Sequence, residues 1–278
     1  MELLTEELPP RALPVLGKFF SDEIANGLIR FQLKDRVPDW RGFATPRRLA
    51  VLVPDVLEVG QDRATEITGP STKAPAEAVA GFARKQGVEV SALEQRDSPK
   101  GKVYVAHVKL KGASLDAVLA AVVSEAIKKL PIPKIMRWGA GEAQFVRPVH
   151  GLLMLHGKRL IAGAVLDLAS GRSTRGHRFL GKGEIAVASA EEYESKLRDE
   201  GMVIADFGKR KAEIERQLQA EAKRQGGSLG EYQGLLDEVT ALVELPTVYA
   251  GAFEAAFLEV PQECLILTMR QNQKYFPL

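Results

Sequence analysis

Residues 171 to 179 read GRSTRGHRF, which places three arginines, one histidine and two glycines in nine positions of a chain whose formal net charge is only +2. Arginine presents a planar fork of N–H donors that matches phosphate oxygens two at a time, and it stays charged at neutral pH. Ser173 and Thr174 add hydroxyls of the kind found at nucleic-acid backbones. Gly171 and Gly176 can let the main chain approach a phosphate with no Cβ in the way. As chemistry, the stretch suits the holding of a polyanion, with Arg172, Arg175, His177 and Arg178 as candidate contacts. A second reading is open: Arg175 and Arg178 could bind carboxylates or carbonyls of their own chain and hold a long loop in place.

The surrounding segment has the same bias. From Lys134 to Arg178 eight cations (Lys134, Arg137, Arg147, Lys158, Arg159, Arg172, Arg175, Arg178) face two anions, Glu142 and Asp167, a local +6 that leaves −4 for the rest of the chain. Cations gathered on one face gain from counterion release when they meet phosphates. Within this segment, PKIMRWG sets Lys134 and Arg137 around Ile135 and Met136, next to Trp138. A guanidinium and an indole there can stack on an unpaired base; a tryptophan in such a place more often anchors a loop on the core.

Other chemistries lack their residues. No G-x-x-x-x-G-K-[ST] is present, and no G-x-G-x-x-G follows a strand. There is no H-E-x-x-H and no cysteine pair, so no metal centre is expected. His150 and His156 read as structural or surface histidines. Glu6 and Glu7 could act as acid and base in principle, but beside Pro9 and Pro10 at a helix entry they are expected to complement the helix dipole. Cys264, next to Leu265, Ile266 and Leu267 on a predicted helix, reads as an inert buried thiol. A single cysteine excludes an intramolecular disulfide and fits a reducing, cytoplasmic setting. No run of 18 uncharged apolar residues occurs, so no membrane partner is expected.

The elements that must carry these residues alternate in kind. Leu115, Val118, Leu119, Val122, Val123, Ala126, Ile127 and Leu130 form one apolar stripe at helical spacing, with Ser114 to cap its start and Pro131 to stop it. A helix from Ser189 to Gly201 is expected to open on a capping box with Glu192. Further helices are predicted at about 75–86, 207–225 (Asp206 as cap, Gly226 as stop), 232–244 and 261–271. The stripe on 207–225 is narrow: Ile214, Leu218 and Ala222. Alternation predicts strands at Lys102–Leu110 and Arg47–Val56, and a strand pair joined at His156-Gly157-Lys158. Two segments echo each other: FATPRRLAVLV at Phe43 and FVRPVHGLLML at Phe145 share F-x-x-P before an apolar strand. The fold class expected is α+β, with mixed or antiparallel sheets and interleaved helices.

Six motifs occur in order along the chain: TEELPP (Thr5–Pro10), ATPRRLA (Ala44–Ala50), LPIPKIMRWG (Leu130–Gly139), FVRPVH (Phe145–His150), RGHRF (Arg175–Phe179) and KYFP (Lys274–Pro277). Together they resemble the β subunit of the bacterial tetrameric glycyl-tRNA synthetase. Three departures from that family's pattern stand out. Only Met1 to Leu4 precede the first motif, where family members have a longer first strand. Val243-Glu244-Leu245-Pro246 lacks an aromatic before the proline. The family's subunit also continues far beyond KYFPL, so the chain is expected to be its N-terminal portion.

The resemblance implies a role. In that family the α subunit makes glycyl-adenylate from glycine and ATP with Mg, while the β subunit binds tRNA and supports transfer of glycine to its 3′ end. The implied assembly is an α2β2 heterotetramer with tRNA(Gly) as its RNA partner, and this portion is expected to have no catalytic residue or cofactor of its own. Its fold is implied to include a lobe similar to the B3/B4 region of the phenylalanyl enzyme's β subunit. The expected division is a strand-helix-strand body unit at 1–60, the lobe at 61–180 and a helix-rich continuation at 181–278, with the body assembled discontinuously. Lys134, Arg137, Trp138, Arg147, Arg172, Arg175, His177 and Arg178 are the candidate tRNA contacts. Two alternatives stand beside this reading: a deacylase of the B3/B4 type, and a scaffold that docks the α subunit without touching RNA.

Overall fold

The computed structural model describes residues 1–98, 101–132 and 134–278; Pro133 of the LPIPKIMRWG motif lies outside the described residues. The fold is α+β, with antiparallel sheets and one sheet of mixed direction.

The run ELLT forms β1 (Glu2–Thr5), buried along its whole length, as expected of a strand covered on both faces. It lies inside a six-stranded sheet of order β12 (Ala164–Val165), β13 (Leu168–Gly171), β9 (Val149–Leu153), β1, β3 (Arg48–Leu52), β2 (Arg41–Thr45). Its neighbours β3 and β9 both run antiparallel to it, while β13 runs parallel to β9. The two F-x-x-P segments therefore flank the same strand. Where the chain leaves β1, the carbonyl of Pro46 accepts from the amide of Leu8 and that of Pro148 from the amide of Glu6, at 2.6 and 2.9 Å.

The two faces of this sheet have separate cores. Leu3, Leu49, Val51 and Leu152 point to one, where they meet α1 (Leu13–Arg30) through Phe20, Ile24 and Leu28, and α3 (Leu115–Lys129) through Leu119, Val122 and Ala126. The stripe on α3 is buried as its spacing predicts, and the Ser114 hydroxyl accepts from the amide of Ala117 at 3.3 Å. Ala50 and Leu153, one residue along, point to the other face and meet Tyr193 and Leu197 of α4 (Tyr193–Asp199). A third cluster joins α5 (Phe207–Gln225) to α6 (Gln233–Thr240) through Ile214, Leu218, Ala222 and Leu236. Asp206 and Gly226 cap and stop α5 as the sequence indicates.

Residues 61–111 leave the large sheet and form a three-stranded sheet of order β4 (Arg63–Ser71), β6 (Gly101–Leu110), β5 (Glu94–Ser98), with α2 (Ala76–Gln86) on it. The chain departs and returns through a narrow neck, where the amide of Gly60 donates to the carbonyl of Ala113 at 2.9 Å. A Cβ on Gly112 would fall 1.6 Å from the carbonyl oxygen of Gly60, so the strands can pass there only because that side chain is absent. Short pairs complete the strands: β7 (Met136–Arg137) with β8 (Gln144–Phe145), β10 (Leu155–His156) with β11 (Arg159–Leu160), and β14 (Ser173–Arg175) with β15 (Glu184–Ala186). No helix among the described residues is long and apolar enough to cross a membrane.

Five expectations are corrected. The helix after Ser189 begins as a 3₁₀ turn, Ala190–Glu192, and becomes α-helical only at Tyr193; no capping hydrogen bond forms at Ser189. The helix expected at 232–244 stops at Thr240, and that expected at 261–271 is α7 (Gln262–Thr268) followed by a π turn, Met269–Gln273. Cys264 is exposed, because α7 buries none of its residues. Finally, no acidic residue stands in the first turn of α1. Glu6 faces His150 and Arg178 instead, at 2.8 and 3.2 Å, and these partners, led by the His150 hydrogen bond, hold its carboxyl below the usual range.

Candidate nucleic-acid interface

The GRSTRGHRF stretch folds as β14, paired in register with β15 (Thr174 opposite Ile185, Arg175 opposite Glu184), and the turn that joins them. Thr174 points inward and is buried; Arg172, Arg175 and Arg178 are exposed. The glycine at 176 serves a different end from the one its type suggested. It is buried against the chain at Gly201, where a Cβ would sit 2.5 Å from the Gly201 carbonyl oxygen. It therefore admits another stretch of this protein's backbone rather than a phosphate.

The loop is held from beneath by the arginine pair of the ATPRRLA motif. Arg48 has no exposure. It donates to the carbonyl of Arg175 at 2.8 Å, to the Glu2 carboxylate at 3.2 Å and to the Thr45 hydroxyl at 3.1 Å. Arg47 donates to the carbonyl of Gly176 at 2.8 Å and to Glu244 at 2.6 Å. Glu2 also accepts from the Thr174 hydroxyl at 2.5 Å and from the Tyr193 hydroxyl. Thr45 donates to Glu244 at 3.0 Å.

This buried cluster is balanced in charge: two guanidiniums, Arg47 and Arg48, against two carboxylates, Glu2 and Glu244. Burial alone would push Arg48 down, but Glu2, Tyr193 and Glu244 outweigh it and hold the guanidinium above its usual range. Burial would likewise raise Glu244; Arg48 and Arg47 overcome it and hold the carboxyl low. Tyr193 is pushed well up, by burial and then by Glu2, and stays neutral as a donor. Next to the cluster, Arg210 is fully buried and donates to carbonyls, those of Ile204, Ala44, Thr240 and Ala205, at 2.6, 2.7, 3.0 and 3.4 Å. Burial pushes it down to about 10, the charges of Glu244 and Asp206 partly opposing. Such charges are tolerated inside because each is paired or fully hydrogen-bonded.

On the outer side the candidate residues differ. Arg172 donates to the carbonyl of Lys158 at 2.6 Å. Arg178 makes its ion pair with Glu6 at 3.2 Å. The guanidinium of Arg175 has no partner among the described residues. His177 is half-buried, and its Nδ1 accepts from the amides of Phe179 and Leu180 at 3.3 and 3.2 Å. Arg147 is half-buried and donates to the carbonyls of Glu7 and Val146 at 2.8 and 2.9 Å. Arg178, His150 and Arg147 thus meet the chain where it leaves β1, on Glu6 and Glu7.

The remaining candidates lie on the segment between α3 and β8. Lys134 is exposed, Arg137 is exposed and paired with Glu142 at 3.0 Å, and Trp138 packs against the main core. Arg159 pairs with Asp116 at 2.6 Å. The local excess of charge is therefore partly neutralised inside the subunit, and among the described residues of this segment Lys134, Lys158, Arg172 and Arg175 are exposed without a carboxylate partner.

Sequence reasoning missed the buried network. Arg47 and Arg48 were legible as a charged pair opening an apolar strand, a pattern that signals either an edge or a buried ion pair, but their partners stand far away in the chain. It also passed over Phe179, whose side chain is 84% exposed at the tip of the loop.

The chain matches the family profile described as glycyl-tRNA synthetase beta subunit over residues 1–278. It is 55% identical to the glycine–tRNA ligase beta subunit of Aromatoleum aromaticum, 47% to that of Neisseria meningitidis serogroup A and 44% to that of Haemophilus influenzae. Each comparison covers 100% of this chain but only 41%, 41% and 39% of the relative, so the chain spans about two fifths of the length of these curated relatives.

Proposed function

The chain belongs to the glycyl-tRNA synthetase beta subunit family, and from that premise we propose that it is the tRNA-binding, non-catalytic N-terminal portion of glycine–tRNA ligase's β subunit. In this reading it works in the cytoplasm within an α2β2 assembly, where the α subunit performs the ATP- and Mg-dependent chemistry on glycine. The reading includes a B3/B4-like lobe within residues 61–180. The relatives' names, glycine–tRNA ligase beta subunit, support the reaction and a partner subunit.

One observation carries the RNA contact. The backbone of the 172–178 loop is held from below by Arg47 and Arg48, while of its own cations Arg172 meets the Lys158 carbonyl and Arg178 meets Glu6. Arg172, Arg175 and Arg178 are left on the outside of a preorganised loop, where guanidiniums lose little freedom on meeting phosphates.

The experiment is the salt dependence of tRNA(Gly) binding by the full-length subunit. Replacing Arg172, Arg175 and Arg178 together by alanine is expected to lower the slope of log K against log salt by roughly 0.7 to 0.9 for each phosphate that is no longer neutralised. An unchanged slope in a folded triple variant overturns the reading. Hydrolysis of mischarged tRNA by the subunit would favour the deacylase alternative, and association with the α subunit without RNA affinity would favour the scaffold.

A further inference from the structure

We propose that Phe179 is a stacking platform for an unpaired base of the bound RNA, with the phosphates on either side held by Arg175 and Arg178. The proposal rests on the RNA-contact reading above and names the chemistry of one contact within it.

Phe179 contributes little to the fold. Its side chain is 84% exposed, and Leu180 beside it is 57% exposed, so burial of these groups does not hold the loop together. The backbone that presents them is nonetheless closed on itself. The amide of His177 donates to the carbonyl of Gly201 at 2.7 Å, and the His177 carbonyl accepts from Gly181 at 2.9 Å. The Nδ1 of His177 accepts from the two amides that follow the turn, Phe179 and Leu180. The His177 ring also leans on Phe179, with centroids 6.2 Å apart and planes at 57°. An exposed aromatic on a rigid turn is preorganised for a partner.

The surroundings identify the partner. The turn itself exposes two apolar side chains, Phe179 and Leu180. In the chain it follows Arg175, which is exposed and whose guanidinium has no partner among the described residues, and Arg178, one of whose nitrogens meets Glu6. An exposed π-face on a turn that carries exposed cations suits an unpaired base with its phosphates, and stacking of this kind tolerates any base. Trp138, the aromatic that the sequence suggested for this task, packs against the main core instead.

The test uses the full-length subunit and a tRNA(Gly) transcript. Phe179→Ala is expected to weaken binding by about five- to 150-fold, the range that removal of one base–aromatic stack gives, with the salt slope unchanged. Phe179→Tyr should stay within about twofold of the parent protein, because the π-face is kept, whereas Phe179→Leu should be as weak as the alanine variant. Binding by Phe179→Ala within about twofold of the parent overturns the proposal. So does rescue by leucine, which would make the tip a plain apolar contact, and so does a defect confined to association with the α subunit. A flat result for Phe179→Ala beside a reduced slope in the triple arginine variant removes the stack and leaves the RNA contact standing. An unchanged slope in the triple variant removes the RNA contact itself.

Discussion

The guanidinium of Arg48, buried without any exposure, donates to the main-chain carbonyl of Arg175 at 2.8 Å. One arginine inside the core thus fixes the backbone of another whose own side chain faces solvent. The same division of labour repeats one residue along in each segment, where Arg47 holds the carbonyl of Gly176. The loop's position is set from β3, while its arginines lie at the surface, Arg172 on the Lys158 carbonyl, Arg178 on Glu6 and the guanidinium of Arg175 without a partner among the described residues.

Arg48→Lys tests this support. A single ammonium cannot reach Thr45, Glu2 and the Arg175 carbonyl together as the planar fork does. The substitution should cost about 1 to 3 kcal/mol, the range for leaving buried acceptors without a donor, measured by urea denaturation. Amide exchange at Gly176 and His177 should quicken by more than the global destabilisation explains.

Glu244 gives a pH prediction. Arg48 and Arg47 hold its carboxyl below the ordinary range in the folded state. Its stabilising contribution is therefore complete above the unfolded-state value, about 4.3. It is lost as pH falls through the lower folded value, because the unfolded chain takes up the proton first. Denaturation of Glu244→Gln beside the parent should show a gap that is widest at neutral pH and narrows steadily below about pH 4.

Arg210 is a buried cation on four carbonyls, and its removal leaves those of Ala44, Ile204, Ala205 and Thr240 short of a donor. Arg210→Met should lower stability by about 2 to 4 kcal/mol. Because Arg210 ties β2 to the end of α6, chemical denaturation should show α6 loosening first, as earlier amide exchange at Leu236 and Thr240.

Gly112→Ala should disturb the neck without unfolding either sheet. Its Cβ would lie 1.6 Å from the Gly60 carbonyl oxygen, so the two strands must separate. Exchange at the amides of Gly60 and Leu115, bonded to Ala113 and Glu58, should accelerate while the strands of the large sheet keep their protection.

Much of the fold was written in local pattern. The limits of α3 and α5, with Ser114 and Asp206 as caps, follow from spacing and cap chemistry within a few residues of each helix end. Ser189 shows where this stops: its hydroxyl and Glu192 have the box spacing, yet the chain takes a 3₁₀ turn there and no cap forms. Cys264 shows it again. Apolar neighbours at 265–267 predict burial, but burial needs a second surface, and none packs over α7 among the described residues.

The sequence by itself determined which residues are cationic, where they concentrate, the order of helices and strands, and the family motifs. Tertiary structure alone decided which cations face outward. Arg48 meets Glu2 46 residues away, Arg47 meets Glu244 197 residues away, and Thr174 meets Glu2 172 residues away. Periodicity reports only on neighbours within a turn or a strand pair. Contacts at such separations are set by how β1 slots between β3 and β9, and that placement buries the arginines of one motif while leaving those of another at the surface.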